Sequence, residues 1–515
     1  MAGNNACADC GGVYYVISTW RAAIIGPGRT GVCANGREVL AANDFISPRI
    51  YGDFWYDKPP MYYWLVTGAM KFVGQTETAA RLPSAFFAVG GALLVYAGGR
   101  SIMNRRAGLI AALALSTSLE YFYLGKAAIT DATLTFFMSA CLLLYLRQKY
   151  HLAYIVAGLA ALTKGPVGIV LPAVIILIHL IVTRSLSNVR RMKLITGGCL
   201  VMAVSLPWYL LMYQYHGMDF INTFLGFHNL TRFLQPEHPA GSLWYYYIPV
   251  LLLGFFPWTI FLVQSVAAAI RNRRDSKQGS ALIFFVIWAT VIFVFFSLSQ
   301  TKLVSYILPM FPPLALLAGW HIDNCLQADV PGSFKTPVRI LTLLIIILEA
   351  ALFITAKTVT TDLLYGAALT GVLFAILLAL AWYTVQTGKG KAFVSVLVSG
   401  MAAFVIIFMS VLLPAAAPSF SMKELAGDFQ ENYDGQAPVY VTKFYRPGFT
   451  YYTGTAGMEL TTTEQLKDLV ANNPGKAYFV VKKKTYLELS FAEQNKLQMV
   501  ASQQDVALLL KADHR

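Results

Sequence analysis

Long apolar runs recur along this chain, and they constrain its fold more than any other feature. A helix that crosses a bilayer needs about 20 mostly apolar residues, and a helix satisfies its own backbone where water is absent. Only 13% of the 515 residues are charged, against about 25% in soluble domains. We therefore predict a mainly α-helical, polytopic membrane protein. The runs cover about 82–99, 107–122, 131–146, 152–164, 166–183, 194–213, 246–267, 280–298, 303–321, 339–357, 363–385 and 392–414.

A thirteenth segment, from Val13 to Ile25, is short and is interrupted by Arg21, so it is a weak span. It lacks the positive start and continuous apolar core of a cleavable signal peptide. Cys7 and Cys10 precede it without a second cysteine pair or nearby histidines, so they do not indicate a zinc site. The total prediction is about 12–13 transmembrane helices.

The basic residues determine the predicted orientation. The net charge is +14, but it is divided among short clusters between apolar runs, unlike the continuous basic face of a nucleic-acid-binding protein. The clusters fall in alternate connections, and placing these inside satisfies the positive-inside rule. Residues 26–81, a predicted loop, together with residues 214–245 and everything after 415, then lie outside the cytoplasm. We expect a multi-pass protein of the bacterial inner (plasma) membrane. The clusters are Arg100/Arg105/Arg106, Arg147/Lys149, Arg184/Arg190/Arg191/Lys193, Arg271/Arg273/Arg274/Lys277, Lys335/Arg339 and Lys389/Lys391.

The composition changes after residue 415, where the chain becomes charged, alternating and rich in turns. Residues 438–442 and 477–482 read as buried strands, and residues 463–471 read as a helix with Thr463 as its cap. Residues 501–512 add a strand or a helix. The predicted organisation is a transmembrane domain over 1–415 and a small α/β domain outside the cytoplasm over 416–515.

An aromatic turn precedes the first strongly apolar run. Asp57 and Lys58 are followed by Pro59 and Pro60 within the cluster that runs from Phe54 to Trp64. Proline fixes φ and lacks a backbone donor, so a helix can start at either proline but cannot run through them. Two interpretations remain: an interfacial aromatic belt with a solvated ion pair, or a functional site.

Other polar residues are predicted on the same outer side. Asp131 opens a span, either as a helix cap or as part of an acidic pocket with Asp57. Lys164 lies in a break before Gly165 and Pro166, where it either snorkels or lines a cavity.

The loop after residue 213 and the connection near residue 300 contribute further polar groups. His228, Arg232 and His238 precede the aromatic residues 244–247, an arrangement that suits a phosphate or a sugar or else a re-entrant interfacial loop. Two histidines are too few to claim a metal site. Lys302, four residues before Tyr306, completes a set of outer cations that suits an anionic head group: Lys58, Lys164, Arg232 and Lys302.

The order and spacing of these motifs resemble those of one family over about residues 33–320. The sequence is similar to the bacterial PMT/ArnT-type glycosyltransferases of family 39/83, which have the GT-C fold. The small outer C-terminal domain suits ArnT-like members. The motifs that carry the resemblance are Ser47-Pro-Arg49, Asp57-Lys58-Pro59-Pro60, Ala80-Arg81-Leu82-Pro83-Ser84, Thr130-Asp131, Thr163-Lys164-Gly165-Pro166 and Thr301-Lys302.

The resemblance implies transfer of a sugar from a polyprenyl-phosphate donor to a lipid A, glycan or protein acceptor at the periplasmic face. It makes Lys58 a contact of the donor phosphate and assigns Asp57 and Asp131 to a catalytic acidic pocket. Such a transfer requires no cofactor, and nothing in the sequence indicates a divalent cation. The sugar, the acceptor and the oligomeric state are left open. The other substrate-binding residues implied are Arg81, Lys164, Arg232, His238, Lys302 and Tyr306.

The sequence departs from this family in the first outer segment. Members usually carry an Asp-Glu pair about ten residues before the Arg37-Glu38 pair, and its Asp is the presumed base; here Gly28 and Arg29 stand at those places. Either the N-terminus is read in another frame or this is a divergent, impaired member that acts as a binding protein. Asp44, Asp53, Asp57 and Asp131 are the alternative bases. The rival from another class is a flippase or transporter for lipid-linked saccharides, which predicts broken helices and two related halves.

Overall fold

The computed structural model is mainly helical, and it confirms the predicted fold class. Each of the twelve apolar runs lies on a helix or on a bent pair of helices. The weak first span and the two cysteines before it lie outside the described residues. The structure describes residues 27–235, 243–274, 278–328, 332–358, 360–473, 475–503 and 505–512.

The helices that carry the apolar runs differ in length. Six helices among the described residues are long and apolar enough to cross a membrane, and the number is eight if each of two bent pairs is one span. The predicted total of 12–13 therefore depends on the shorter helices crossing as well. The helices of this part are α3 (Glu77–Ile102), α4 (Arg105–Thr117), α5 (Leu119–Gly125), α6 (Thr130–Leu146), α7 (Tyr150–Lys164), α8 (Val167–Val182), α9 (Leu194–Ile221), α10 (Arg232–Leu234), α11 (Tyr247–Gly254), α12 (Leu262–Arg271), α13 (Gly279–Leu298), α14 (Phe311–Ala328), α15 (Lys335–Thr358), α16 (Leu363–Gln386), α17 (Gly390–Ile407) and α18 (Leu413–Phe420).

The predicted loop over residues 26–81 is wrong, because most of this segment is helical. Helix α1 (Pro27–Ala42) and helix α2 (Met61–Val73) flank a two-stranded hairpin, β1 (Arg49–Ile50) and β2 (Asp53–Phe54). Helix α2 follows Pro60, as the two prolines indicated, and buries one face that includes Tyr62 and Val66. Short amphipathic helices of this kind lack the continuous apolar run by which spans are recognised.

Helix α9 also exceeds its predicted end at residue 213. It continues to Ile221 and is followed by a π-helical segment, Asn222–Thr231, that leads into α10. The backbone bends at Gly217, whose φ of 59° and ψ of −139° are accessible mainly to glycine. Much of the loop predicted over residues 214–245 is thus helical, and after this bend the segment reaches the turn that carries Asp57.

Two pairs of consecutive helices are each bent at a short break, and the two breaks pack against each other. The break between α4 and α5 has an angle of 67°, and the one between α11 and the segment Trp258–Arg271 has an angle of 105°. Across the contact, Leu119 N donates to Phe256 O over 3.2 Å, and Trp258 Nε1 donates to Thr117 Oγ1 over 2.9 Å. The backbone groups freed at one break are therefore partly satisfied by the other.

The C-terminal domain is a five-stranded mixed sheet covered by short helices. The sheet order is β4-β3-β5-β7-β6, and β3 runs parallel to both β4 and β5. The predicted strands at residues 438–442 and 477–482 are confirmed, and residues 501–503 and 506–511 belong to two strands. The cap assignment was wrong: Thr462, not Thr463, accepts from Gln465 N over 3.1 Å. The elements are α19 (Lys423–Asn432), β3 (Val439–Thr442), α20 (Arg446–Thr453), β4 (Met458–Leu460), α21 (Thr463–Asn472), β5 (Ala477–Lys482), α22 (Lys483–Leu487), α23 (Phe491–Gln494), β6 (Leu497–Gln503) and β7 (Val506–Lys511).

This domain packs on helices α1 and α3 through α20. Arg37 of α1 donates to Tyr451 O over 2.8 Å, and its guanidinium lies 4.0 Å from the centroid of the Tyr451 ring. Tyr452 Oη donates to Glu77 Oε1 over 3.0 Å at the start of α3. The predicted division after residue 415 falls within α18, and the sheet elements follow from Lys423 onward. The C-terminal domain thus lies on the same side as the turn that carries Asp57.

Candidate functional site

The turn around Asp57 is held by the proline pair and by the aromatic helix that follows. Pro60 occupies the cap position of α2, and Tyr62 and Tyr63 are buried behind the turn. Lys58 Nζ lies 2.5 Å from Asp57 Oδ2, and the exposed fractions of the two side chains are 28% and 15%. The interpretation of a solvated surface ion pair is wrong, because both side chains are largely removed from solvent.

Two further groups approach the same carboxylate from the π-helical segment after α9. Arg232 Nη1 donates to Asp57 Oδ1 over 3.0 Å, and His228 Nδ1 lies 3.0 Å from that oxygen with poor hydrogen-bond geometry. Their spacing of four residues puts both on one side of the helical turn. Burial raises the pKa of Asp57, but Lys58, His228 and Arg232 outweigh it and hold the pKa well below its usual range. The carboxylate is therefore ionised at neutral pH.

A second ion pair joins α6 and α7. Lys164 Nζ contacts Asp131 Oδ1, and the exposed fractions of the two side chains are 14% and 9%. Helix α7 ends here because Gly165 adopts a φ of 79°, which allows the chain to turn into α8. The alternative of Asp131 as a helix cap is wrong: Ile129 occupies the cap position, and Asp131 lies in the first turn.

The segment around residue 302 closes the site beside both pairs. Lys164 Nζ lies 4.3 Å from the centroid of the Tyr306 ring, a cation–π contact. Thr301 N donates to Arg232 O over 3.3 Å, and Thr301 Oγ1 donates to Gln235 O over 3.0 Å. Lys302 is buried, and this burial lowers its pKa. The structure thus brings Asp57, Arg232 and the 301–306 segment into one region with the Lys164 pair.

Of the remaining predicted site residues, Arg81 is paired outside this group, and His238 is not among the described residues. Arg81 lies on α3 within 3.7 Å of Glu77 Oε2, one turn earlier on the same helix, in the region where the C-terminal domain docks. His238 lies outside the described residues, so its predicted role remains a prediction. Among the residues that the structure describes, no group of three or more His, Cys, Asp or Glu side chains could hold a metal ion.

The sequence reasoning missed a polar contact beside this site. Ser47 Oγ and His216 Nε2 are 2.7 Å apart, and the rings of Phe54 and Tyr56 lie 4.4 and 5.3 Å from the His216 ring. Ser47 was known only as part of a motif, and His216 follows an apolar run with no local pattern around it. His228 was named as a candidate for phosphate or sugar binding but was not included in the site that the family resemblance implies, although its spacing from Arg232 was a usable signal.

This chain is related in sequence to a described family and to several known proteins. The family model described as dolichyl-phosphate-mannose-protein mannosyltransferase matches residues 57–210. An undecaprenyl phosphate-alpha-4-amino-4-deoxy-L-arabinose arabinosyl transferase of Pectobacterium carotovorum is 30% identical over 309 residues, which cover 57% of this chain and 54% of that protein. A protein of Aquifex aeolicus is 30% identical over 298 residues, which cover 58% of this chain and 68% of that protein. The chain thus spans only about half the length of the Pectobacterium relative.

The fold is also that of a solved structure. The crystal structure of ArnT from Cupriavidus metallidurans bound to undecaprenyl phosphate superimposes with a TM-score of 0.79 at 22% identity, over 98% of this chain and 99% of that one. This fold defines a polytopic membrane protein of the GT-C class. This chain belongs to the bacterial PMT/ArnT-type glycosyltransferase family.

Proposed function

We propose that this protein transfers a sugar from a polyprenyl-phosphate donor to a lipid, glycan or protein acceptor at the periplasmic face of the inner membrane. The observation that carries the proposal is the convergence of Lys58, His228 and Arg232 on Asp57. The Lys164–Asp131 pair and Lys302 lie in the same region. A cluster of cations at a membrane surface suits a lipid phosphate, since arginine and lysine donate charge-assisted hydrogen bonds to its oxygens.

The cations would act on the leaving group. In the transfer, an acceptor hydroxyl oxygen bonds to the anomeric carbon while the bond from that carbon to the phosphate oxygen breaks. The electron pair passes to the lipid phosphate, and the hydroxyl proton passes to a carboxylate. Preorganised cations stabilise the charge that develops on the phosphate, and this is often the largest catalytic contribution. We assign this role to Lys58 and Arg232, with Lys164 and Lys302 as further phosphate or acceptor contacts.

The two carboxylates receive different roles. Asp57 is surrounded by three cationic or donor groups, which make it a weak proton acceptor. We assign Asp57 to holding Lys58 and Arg232 in position before the donor arrives. Among the described residues, Asp131 is paired with a single cation, the ammonium group of Lys164, so we assign it, rather than Asp57, as the candidate proton acceptor.

The experiment that tests the proposal replaces Lys58 in the full-length protein. Purified membranes that contain the Lys58→Ala variant are supplied with the donor named for the relatives, undecaprenyl phosphate-linked 4-amino-4-deoxy-L-arabinose, and with total polyprenyl-phosphate sugars. Transfer to membrane acceptors is followed by mass spectrometry. We expect transfer to fall at least about 100-fold, as for other transition-state donors. Lys71→Ala, at the exposed end of α2, is the matched control and should transfer normally. Unchanged transfer by the Lys58 variant would refute its assignment.

One observation favours the transport alternative. Glu120 is 5% exposed beside the two helix breaks, and neither of its carboxylate oxygens has a hydrogen-bond partner among the described residues. A buried carboxyl at broken helices is also typical of transporters. If the protein moves lipid-linked sugars, purified protein in vesicles will carry a labelled polyprenyl-phosphate sugar across the bilayer without forming a glycosylated acceptor. A glycosylated product without translocation would exclude this alternative.

A further inference from the structure

A polar cavity lies at the membrane face opposite the proposed site. Helix α8 begins at Val167, just after Lys164, and ends at the cavity at Val182. At about 1.5 Å per residue, its 16 residues separate the two places by roughly 24 Å. Helix α13 begins next to the cavity and returns to the outer side, where it ends at Leu298, shortly before Lys302. The cavity is thus remote from the groups described above.

The buried wall of the cavity carries a network of polar contacts around His179. His179 is 6% exposed; its Nε2 lies 3.2 Å from both Ser280 O and Ser280 Oγ, and its Nδ1 lies 3.4 Å from Tyr145 Oη. The volume of the cavity is about 750 Å³, which lies within the usual range for small-molecule sites. Val182 and Ile283 add apolar surface to its lining.

Three arginines also line the cavity, and its lining includes no acidic residue among the described ones. Arg184 follows the end of α8, and Arg273 and Arg274 follow the end of α12. Across the described ranges, none of the three forms an ion pair with a carboxylate. Arg184 has a φ of 53°, at a helix end where glycine is usual. The cationic lining is therefore not neutralised by a described acid.

We propose that this cavity binds a phosphate ester, and in particular the phosphate of an anionic membrane lipid. Arginine guanidinium groups match phosphate oxygens with paired hydrogen bonds. Basic pockets between helices on the cytoplasmic side are suited to anionic head groups. Val182 and Ile283 provide the apolar contact that an acyl chain needs and a free phosphate ion does not. The site is separate from the proposed transfer reaction and does not depend on it.

The test measures lipid retention by the full-length protein. Wild-type protein and the triple variant Arg184→Gln/Arg273→Gln/Arg274→Gln are purified from membranes and titrated with phosphatidylglycerol or phosphatidylcholine in detergent. Bound lipid is measured by native mass spectrometry. Each arginine near an anionic lipid contributes about 1 kcal/mol, or about fivefold in affinity. We expect the triple variant to bind phosphatidylglycerol about 100-fold more weakly, with phosphatidylcholine unaffected.

A matched variant separates the cavity from the general charge of this face. Arg100→Gln/Arg105→Gln/Lys149→Gln removes three exposed cations from other connections on the same face, and it should retain phosphatidylglycerol like the wild type. In a second arm, inorganic phosphate competes with the lipid. If the cavity variant loses binding of inorganic phosphate but keeps binding of phosphatidylglycerol, the cavity is a phosphate site whose ligand is soluble. Equal loss of phosphatidylglycerol in both triple variants, or no loss in either, would overturn the proposal.

Discussion

Arg232 donates to the Asp57 carboxylate over 3.0 Å, although 175 residues separate the two in the chain. Both residues of this pair lie at irregular positions of the backbone, next to the start or the end of a helix. Asp57 precedes the proline pair that starts α2, and Arg232 ends the π-helical segment that follows the bend at Gly217. The contact fixes the outer ends of two elements against each other. It also holds an arginine fork in place before any anion binds, which reduces the cost of ordering on binding.

Replacing Arg232 by lysine tests whether the fork geometry matters. Lysine keeps the charge but loses the planar pair of donors that guanidinium offers to a carboxylate or phosphate. We expect Arg232→Lys to lower the initial rate of sugar transfer in purified membranes at least about tenfold, and Arg232→Gln to lower it about 100-fold or more. Arg105→Lys, at the start of α4 on the opposite face, is the control. Equal rates for the wild type and both Arg232 variants would rule out a contact with the reacting phosphate.

The pH dependence of stability should report on Asp57. Its pKa in the folded protein is well below the usual value because Lys58, His228 and Arg232 outweigh burial. As the pH falls, the Asp57 carboxyl group of the unfolded chain takes up a proton near pH 3.9, whereas that of the folded protein does so only at a lower pH. The stabilisation by Asp57 is therefore fully present above about pH 4 and is lost as pH falls through the lower folded pKa.

The measurement compares thermal unfolding of Asp57→Asn and the wild type in detergent. At pH 6 the variant should be less stable by about 3 kcal/mol, because it leaves partly buried cations without their counter-ion. The difference should narrow as pH is lowered below about 4. Asp53→Asn changes an exposed carboxylate in the same turn and should show no such difference. A difference in stability between the wild type and Asp57→Asn that increases as the pH falls would contradict the assigned ion pairs.

Two adjacent glycines of α9 offer a matched test of helix packing. A Cβ atom at Gly197 would lie 2.2 Å from the Tyr154 ring, whose hydroxyl is fixed by donation to Met192 O over 3.0 Å. A Cβ atom at Gly198 would meet nothing within 4 Å. We expect Gly197→Ala to destabilise the protein by about 1–3 kcal/mol through overpacking between α7 and α9. Gly198→Ala should be neutral or stabilising by up to about 1 kcal/mol. Thermal unfolding in one detergent measures both, and equal effects would mean that this contact does not limit the packing.

Features that depend on a local pattern of residues were predicted from the sequence, and features that depend on contacts between distant residues were not. Each of the twelve apolar runs coincides with a described helix or bent pair of helices, because a span must carry its apolar pattern within one segment. Strand β5 was predicted with its observed bounds, Ala477–Lys482, for the same local reason. Helix α1 was missed because its apolar pattern is short and interrupted, whereas the proline pair did indicate where α2 starts. The bend at Gly217 was missed because glycine tolerates many conformations and indicates none in particular.

By itself, the sequence determined a helical membrane protein with a small C-terminal α/β domain, and it indicated which charged residues needed explanation. Charges near spans are costly, so their positions are informative without coordinates. Only the tertiary structure decided which distant charges meet: Asp57 with Arg232, and Asp131 with Lys164. The reason is that an ion pair depends on the distance between atoms in space. That distance is set by the packing of helices far apart in the chain, which no local pattern encodes.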